Sequence, residues 1–332
     1  MDRRKFIAST SLFSLAGSLY ALPQDRALVK PPALKKGGTV GLVTPASALT
    51  RSAFEKTLAN IEALGFEVKY SDNLRVSRGF LSGTDEQRLQ DIHTMFADDA
   101  VDAIICARGG YGSARLLPEL KLDMIRENPK PFIGYSDITA MHQYIYAQAG
   151  LVTFHGPVGA STFNDFTRDY LEDLVVKGKK VKIQAEEGKV ITAGVSEGRL
   201  IGGNLSLLSS LVGTPYQAAY RDHILCIEEI GESTYRVDRM LTQIVQSGLL
   251  EGVKGIALGY FTNCDAKPDD PGYERSISLM EVFHHQFGKL GVPVVAGLPF
   301  GHEEHNATFP VGTMARLDAD KRQIKTLEAA VR

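Results

Sequence analysis

Residues 132–139 read FIGYSDIT, an apolar strand pattern that stops at Ser136 and continues as a helix pattern. In an α/β sheet, such a corner lies at the carboxyl end of a strand, where ligands bind. The amides at the start of the following helix can stabilise an oxyanion. The corner resembles a nucleophile elbow, although Ile138 stands where G-x-S-x-G has its second glycine. The alternative is that Ser136 or Asp137 simply caps the helix.

The segments before this corner alternate between strand and helix patterns. In chain order the pattern predicts a strand at Thr39–Pro45, helices at Arg51–Leu64 and Asp85–Ala97, a strand at Ala103–Ala107 and a helix at Asp137–Gln148. Residues 30–165 are therefore predicted to form a doubly wound α/β domain with a mostly parallel sheet.

Beyond Phe154 the pattern changes to short strands separated by turns. Only two clear helices interrupt these strands, at Tyr235–Ser247 and Ser278–Leu290. This pattern predicts that residues 183–330 form an α+β domain rather than a repeat of the first. Dense charge and weak apolar periodicity place a linker between the two domains at residues 166–182.

The composition argues against several classes of protein. With 37 basic and 39 acidic residues among 332, the chain lacks the concentrated positive charge that binds nucleic acid. Its three cysteines are an odd number, and Cys106 and Cys226 lie in strand patterns, so no disulfide framework is predicted. No CxxC or HExxH motif occurs, so neither a metal site nor a cofactor is expected.

Residues 1–24 have the organisation of an export signal. The basic run Arg3-Arg4-Lys5 precedes an uncharged apolar stretch, Phe6–Leu22, and resembles a twin-arginine signal. The alternative is a membrane anchor, because Leu19-Tyr20-Ala21 is a mediocre cleavage site and the stretch approaches the ~20 residues that span a bilayer. We therefore expect an exported, periplasmic protein.

A glycine turn, Arg108-Gly109-Gly110-Tyr111-Gly112, follows the predicted strand at Ala103–Ala107. Its amides can point to the same edge of the sheet as Ser136, so one of them could complete an oxyanion hole. A phosphate-binding turn and a plain tight turn are the alternatives.

Among the histidines, His302 is the candidate for a general base. It follows Gly301 in a polar loop, where a histidine is freer to exchange protons than on an apolar face. His155, within Thr153–Pro157, is the histidine compared with it. A metal site formed by His302 and His305 is the alternative, but a spacing of three residues without further Cys or His gives it little support.

Glu228 and Glu229 end an apolar run at residues 224–227. A carboxylate that emerges from a buried strand must be paired or hydrogen-bonded, because an isolated buried charge is costly. Orienting an imidazole would satisfy this requirement. A salt bridge to Arg236 or Arg239 on the next predicted helix would satisfy it equally well.

Taken together and in this order, these segments resemble the LD-carboxypeptidase family of serine peptidases, which also includes the microcin C self-immunity peptidases. The resemblance covers Gly37 to Leu317. It is carried by VGLVTPAS (Val40–Ser47), ARGGYGSARLL (Ala107–Leu117), FIGYSDIT (Phe132–Thr139), TFHGP (Thr153–Pro157), GRLIGGNLSLLSSLVGTPY (Gly198–Tyr216), ILCIEEI (Ile224–Ile230), YRVDRML (Tyr235–Leu241) and AGLPFGH (Ala296–His302).

The resemblance implies a catalytic triad with one member in the first domain and two in the second. Ser136 corresponds to the nucleophile of the family, His302 to the base, and Glu228 to the residue that orients the base. Glu229 is the alternative to Glu228. The active site is then expected at the interface between the domains.

The resemblance also implies where the substrate would be held. In the family, backbone amides of the glycine turn and of the residue after the serine form the oxyanion hole, which implies Gly110 and Asp137. The substrate carries a free carboxylate, for which Arg108 is the candidate clamp, and Asn204 is a candidate to hydrogen-bond the peptide.

The activity implied by the resemblance is hydrolysis of the L-D peptide bond that releases terminal D-alanine from muropeptide tetrapeptides. The family also implies a homodimer, with a muropeptide as the substrate partner. One alternative is an immunity-type peptidase that acts on aminoacyl-adenylate analogues. Another is a non-enzymatic exported binding protein, because solute receptors also combine two lobes with an export signal.

Overall fold

The computed structural model describes residues 27–268 and 275–332, which form two mixed sheets with helices packed around them. The predicted export signal at residues 1–24 lies outside the described residues. Within the described ranges, no helix is both long enough and apolar enough to cross a membrane.

The first sheet has six strands in the order β12-β5-β4-β3-β1-β2. These are β1 (Thr39–Val43), β2 (Glu67–Lys69), β3 (Ala103–Cys106), β4 (Phe132–Gly134), β5 (Thr153–His155) and β12 (Phe309–Val311). The first five are parallel, and β12 joins β5 in antiparallel orientation. The predicted mostly parallel sheet is therefore confirmed, with an edge strand supplied by the distant C-terminal part of the chain.

Helices cover both faces of this sheet. They are α1 (Arg51–Ala63), α2 (Asp85–Ala97), α3 (Leu122–Glu127) and α4 (Thr139–Tyr144). Along β3, Ile104 and Cys106 belong to one apolar cluster, whereas Ala103 and Ile105 belong to the other. Successive side chains of a strand point to opposite faces, so both faces of the sheet are buried, as in a doubly wound fold.

The second sheet has eight strands in the order β6-β14-β13-β8-β9-β10-β11-β7. They are β6 (Lys182–Gln184), β7 (Lys189–Thr192), β8 (Val195–Asn204), β9 (His223–Ile230), β10 (Gly255–Thr262), β11 (Val294–Ala296), β13 (Met314–Asp318) and β14 (Gln323–Thr326). The centre, β8 to β11, is parallel, and the flanking pairs are antiparallel. Three of these strands are longer than the short-strand pattern indicates.

In the part of the chain that the structure describes, four helices follow the first domain, where the sequence pattern indicates only two. They are α5 (Asp165–Val175), α6 (Leu205–Leu211), α7 (Thr234–Gln246) and α8 (Leu279–Phe287). Helix α5 lies largely within the predicted linker, and it is hidden in the sequence because charged residues fill its exposed face. It begins at the capping residue Asn164 and buries Leu171, Leu174 and Val175. The exact domain boundaries stay a prediction.

The two domains meet where β8 ends against α4. Gly203 has φ +144°, and a Cβ at this position would lie 2.3 Å from Thr139 Oγ1. The same hydroxyl accepts a hydrogen bond from the Asn204 amide at 2.9 Å. Gln143 Nε2 donates to the Gly202 carbonyl at 2.9 Å. Only glycine allows this close approach, which brings the carboxyl ends of the central strands of both sheets together.

Candidate active site

Ser136 lies directly after β4, at the corner where the chain turns into a helix. Its φ is 64°, in the left-handed region that residues other than glycine rarely adopt. A short 3-10 turn (Ser136–Ile138) continues into α4 and then into a π-helical segment at Ile145–Ala149. A strained serine between a strand and a helix is the geometry of a nucleophile elbow.

The glycine turn lies against Ser136. A Cβ placed on Gly109 would be 3.0 Å from Ser136 Cβ and 3.3 Å from Ser136 Oγ. Gly110 has φ +108°, and its missing side chain leaves room for Ser47, whose Oγ accepts the Tyr111 amide at 3.1 Å. Ser47 therefore helps to hold the turn, a role that the sequence did not indicate.

Asp137 connects the glycine turn to the corner. Its carboxylate Oδ2 accepts the Ser113 amide at 2.7 Å, and Ser113 Oγ donates to the Asp137 carbonyl at 2.6 Å. Both residues are buried. The backbone amide of Asp137 lies in the first turn of the helix, where amides lack helical partners. The side chain thus fixes the relative positions of the two segments expected to form the oxyanion hole.

His302 lies on the loop that follows β11, and its imidazole contacts Glu228. Glu228 Oε2 lies 2.6 Å from His302 Nδ1, and the Glu228 side chain is fully buried. Gly301 allows this contact, because a Cβ there would lie 2.9 Å from Glu228 Cβ. The Thr262 hydroxyl donates to the His302 carbonyl at 3.1 Å and anchors the loop. With Nδ1 donating to the carboxylate, Nε2 remains available to accept a proton.

This contact shifts the pKa of both groups. Burial would raise the pKa of Glu228, but the imidazoles of His155 and His302 near its two oxygens hold that pKa at about 2. Burial would lower the pKa of His302, but its hydrogen bond to Glu228 and the negative charge there raise it above the usual value of 6.5. Glu228 is therefore ionised at neutral pH, as the orienting residue of a triad must be.

His302 also lies beside the serine corner. The ring of Tyr135, the residue before Ser136, is tilted against the His302 imidazole with centroids 4.6 Å apart. The structure thus brings the pair of His302 and Glu228 beside the segment that carries Ser136, at the interface of the two domains. His305 lies elsewhere, with its ring against Phe166 at 4.7 Å.

Glu229 and Asn204 form a separate buried network. Glu229 accepts hydrogen bonds from the Asn204 side chain, from the amide and hydroxyl of Ser206, and from the Ile230 amide, all at 2.7 to 2.9 Å. Asn204 also caps α6 through its side-chain oxygen and Leu207. The substrate-binding role of Asn204 stays a prediction, and in this structure both polar atoms of its side chain are engaged within the protein.

Arg108 is exposed next to the glycine turn. Its Nη1 donates to the Ala48 carbonyl at 2.9 Å, which holds the guanidinium near the rim of the site. The clamp role of Arg108 also stays a prediction. Across the described part of the chain, no group of three or more His, Cys, Asp or Glu side chains is arranged to hold a metal ion.

Comparison with known proteins identifies the family of the chain. The model of the LD-carboxypeptidase N-terminal domain matches residues 40–156, and that of the LD-carboxypeptidase C-terminal domain matches residues 197–317. A probable murein peptide carboxypeptidase of Bacillus subtilis is 38% identical, over 91% of this chain and 95% of the relative. The chain belongs to the LD-carboxypeptidase family.

Solved structures of this family have the same architecture. An MccF-like protein from Bacillus anthracis superposes with a TM-score of 0.80 at 30% identity, covering 90% of this chain and 99% of that one. A muramoyltetrapeptide carboxypeptidase from Oxalobacter formigenes superposes with a TM-score of 0.76 at 29% identity, covering 86% and 97%. The predictions of a two-domain α/β fold and of a serine carboxypeptidase are confirmed, and the binding-protein alternative is set aside.

Proposed function

We propose that this LD-carboxypeptidase releases terminal D-alanine from muropeptide tetrapeptides by a Ser136-His302-Glu228 mechanism. The observation that carries the proposal is the 2.6 Å contact between His302 Nδ1 and Glu228 Oε2, beside a serine held at a strained strand-to-helix corner. The names of the Bacillus subtilis relative and of the Oxalobacter formigenes structure support the murein substrate.

The geometry supports the following steps. His302 Nε2 takes the proton of Ser136 Oγ as the oxygen attacks the carbonyl carbon of the scissile bond. The amides of Gly110 and Asp137 bind the resulting oxyanion. The proton then passes from His302 to the leaving amine of D-alanine, and an acyl-enzyme remains on Ser136. A water molecule gives a proton to His302 as it attacks this ester, and His302 returns that proton to Ser136 Oγ as the shortened peptide leaves with a new carboxyl group.

The test is release of D-alanine from disaccharide tetrapeptide, with EDTA present throughout. We expect release by the wild-type protein and loss of at least about 10³-fold in Ser136→Ala. Equal rates from both proteins would refute the proposed nucleophile. No release from either, together with hydrolysis of an aminoacyl-adenylate analogue by the wild type, would instead favour the immunity-type activity, which the similarity to the MccF-like structure makes the second candidate.

Arg108 is proposed to bind the free carboxylate of the substrate. Its guanidinium is exposed beside the turn that faces Ser136, and arginine pairs well with carboxylates. We expect Arg108→Ala to lower kcat/KM about tenfold for the tetrapeptide, but not for a neutral ester of the same acyl group. Equal losses on both substrates would exclude the clamp role.

Export and assembly belong to the same proposal. The basic and apolar segments within residues 1–24 support export to the periplasm, where murein peptides occur. Cell fractionation of the tagged full chain should recover it outside the cytoplasm, and substitution of Arg3 and Arg4 by Lys should retain it inside.

The homodimer expected from the family is tested by light scattering of the purified protein.

A further inference from the structure

A second imidazole lies against the triad carboxylate and takes no part in the steps above. His155 ends β5 in the first sheet, is fully buried, and stacks on Phe309 with ring centroids 4.5 Å apart. Its Nε2 lies 3.7 Å from Glu228 Oε1. The Glu228 carboxylate is therefore held between two imidazoles, with His302 on one oxygen and His155 near the other.

Three buried polar atoms of these two residues lack hydrogen-bond partners among the described residues. They are the two ring nitrogens of His155 and the Oε1 oxygen of Glu228. Leaving a buried polar atom unsatisfied is destabilising, and more so for a charged group. A separation of 3.7 Å is slightly too long for a hydrogen bond, but hydrogen bonds in an active site commonly shorten when substrate is bound.

The groups around His155 leave Glu228 as its natural partner. His142 is the nearest other imidazole, with ring centroids 6.3 Å apart, and its Nε2 is engaged with the Gly134 carbonyl at 2.8 Å. Burial lowers the pKa of His142 to about 3, so this ring is neutral at physiological pH. Tyr135 approaches His155 only with the edge of its ring, at 6.1 Å. Glu228 is thus the anionic group that faces His155.

We propose that His155 is a positioning residue that donates a hydrogen bond from Nε2 to Glu228 Oε1 and so keeps Oε2 on His302 Nδ1. The inference rests on the proposed triad, because its purpose is to hold the orienting carboxylate. A glutamate can rotate about its last carbon–carbon bond, and a contact to only one oxygen restrains that rotation less than contacts to both. A second contact fixes it.

His155 also connects the two domains. It comes from the first sheet, as does Ser136, whereas Glu228 and His302 come from the second domain. A hydrogen bond between His155 and Glu228 therefore fixes the base with respect to the nucleophile. An error of about 1 Å in such a placement can lower a rate by about 10²-fold.

The matched variants His155→Phe and His155→Gln separate positioning from packing. Phenylalanine retains a ring that can stack on Phe309 but has no donor, whereas glutamine loses the ring and retains an N–H of similar reach. We expect kcat for D-alanine release to fall about tenfold or more in His155→Phe, with KM unchanged, and to be largely restored in His155→Gln. Equal losses in both variants, or no loss in His155→Phe, would overturn the proposal.

A second measurement does not depend on turnover. The Nδ1 proton that His302 shares with Glu228 should give a downfield resonance in the proton NMR spectrum, identified by its loss in His302→Ala. We expect this resonance to persist in His155→Gln and to shift upfield or disappear in His155→Phe. An unchanged resonance in His155→Phe would overturn the positioning role even if the wild type released no D-alanine, so failure of this inference is distinguishable from failure of the proposed function.

Discussion

Two consecutive glutamates of β9 lie on opposite sides of the strand. The carboxylate of Glu228 faces the first domain and two imidazoles, whereas the carboxylate of Glu229 faces the start of α6. Four donors satisfy Glu229, whereas Glu228 has one short hydrogen bond and one longer contact. Adjacent side chains of a strand point to opposite faces, which is why two consecutive glutamates have such different partners.

The pKa values of the two carboxyl groups are shifted in opposite directions. The pKa of Glu228 is lowered to about 2, as described above. Burial raises the pKa of Glu229, against the hydrogen bonds from Ser206, Ile230 and Asn204, which act to lower it. A carboxylate that must stay ionised to orient a base is thus placed beside imidazoles, and one that stabilises the second domain is surrounded by neutral donors.

Removing the charge of Glu228 is expected to reduce the rate more than any other change at these two glutamates. Glu228→Gln retains the size of the side chain but removes the negative charge that holds the His302 tautomer. We expect kcat for D-alanine release to fall about 10⁴-fold. Steady-state assays on Glu228→Gln, with Glu229→Gln as the matched control, check this. A fall of less than about tenfold would show that Glu228 does not orient the base.

The dependence of the rate on pH also distinguishes the roles of Glu228 and Glu229. Only the neutral form of His302 can accept the Ser136 proton, so kcat/KM should fall about tenfold per pH unit below the pKa of His302, which lies above 6.5. Removing the adjacent charge lowers that pKa, so the acid limb should move to lower pH in Glu228→Gln and move less in Glu229→Gln. The pH profiles of the three proteins measure this. A larger shift in Glu229→Gln would reverse the assignment.

Replacing Glu229 is expected to have the smallest effect on the rate. Glu229→Gln replaces a carboxylate that accepts four hydrogen bonds with an amide whose NH₂ group must face other donors. We expect kcat to change by less than about threefold and the free energy of unfolding to fall by about 1–3 kcal/mol. Denaturant unfolding of this variant beside the wild type checks the prediction. Unchanged stability with a strongly reduced kcat would contradict it.

The serine corner and the first sheet could be predicted from the sequence, because apolar runs ending in Gly- or Ser-containing turns are local signals. Helix α6 could not be recognised as easily, because it spans only Leu205–Leu211. Its capping residue is Asn204, for which the resemblance also predicts a substrate contact, and an asparagine before a helical run is a common N-cap. Strand β12 was missed because Phe309–Val311 is three residues long and contains a proline.

The partners of the two glutamates depend on tertiary structure. The alternation of side chains along a strand predicts that Glu228 and Glu229 face opposite ways, but not which of them faces His302. The resemblance to the family, rather than the residue pattern, favoured Glu228. The sequence does not indicate a role for His155, because nothing local to Thr153–Pro157 shows that a strand of the first sheet ends beside a carboxylate of the second.

The most direct measurement is the rate of D-alanine release by Glu228→Gln, by His302→Ala and by the double variant. If Glu228 acts only through His302, we expect the double variant to be within a few-fold of His302→Ala alone, because the charge has no effect once the imidazole is absent. A double variant slower than His302→Ala by the full factor lost in Glu228→Gln would contradict the triad, since it would mean that the two residues act independently.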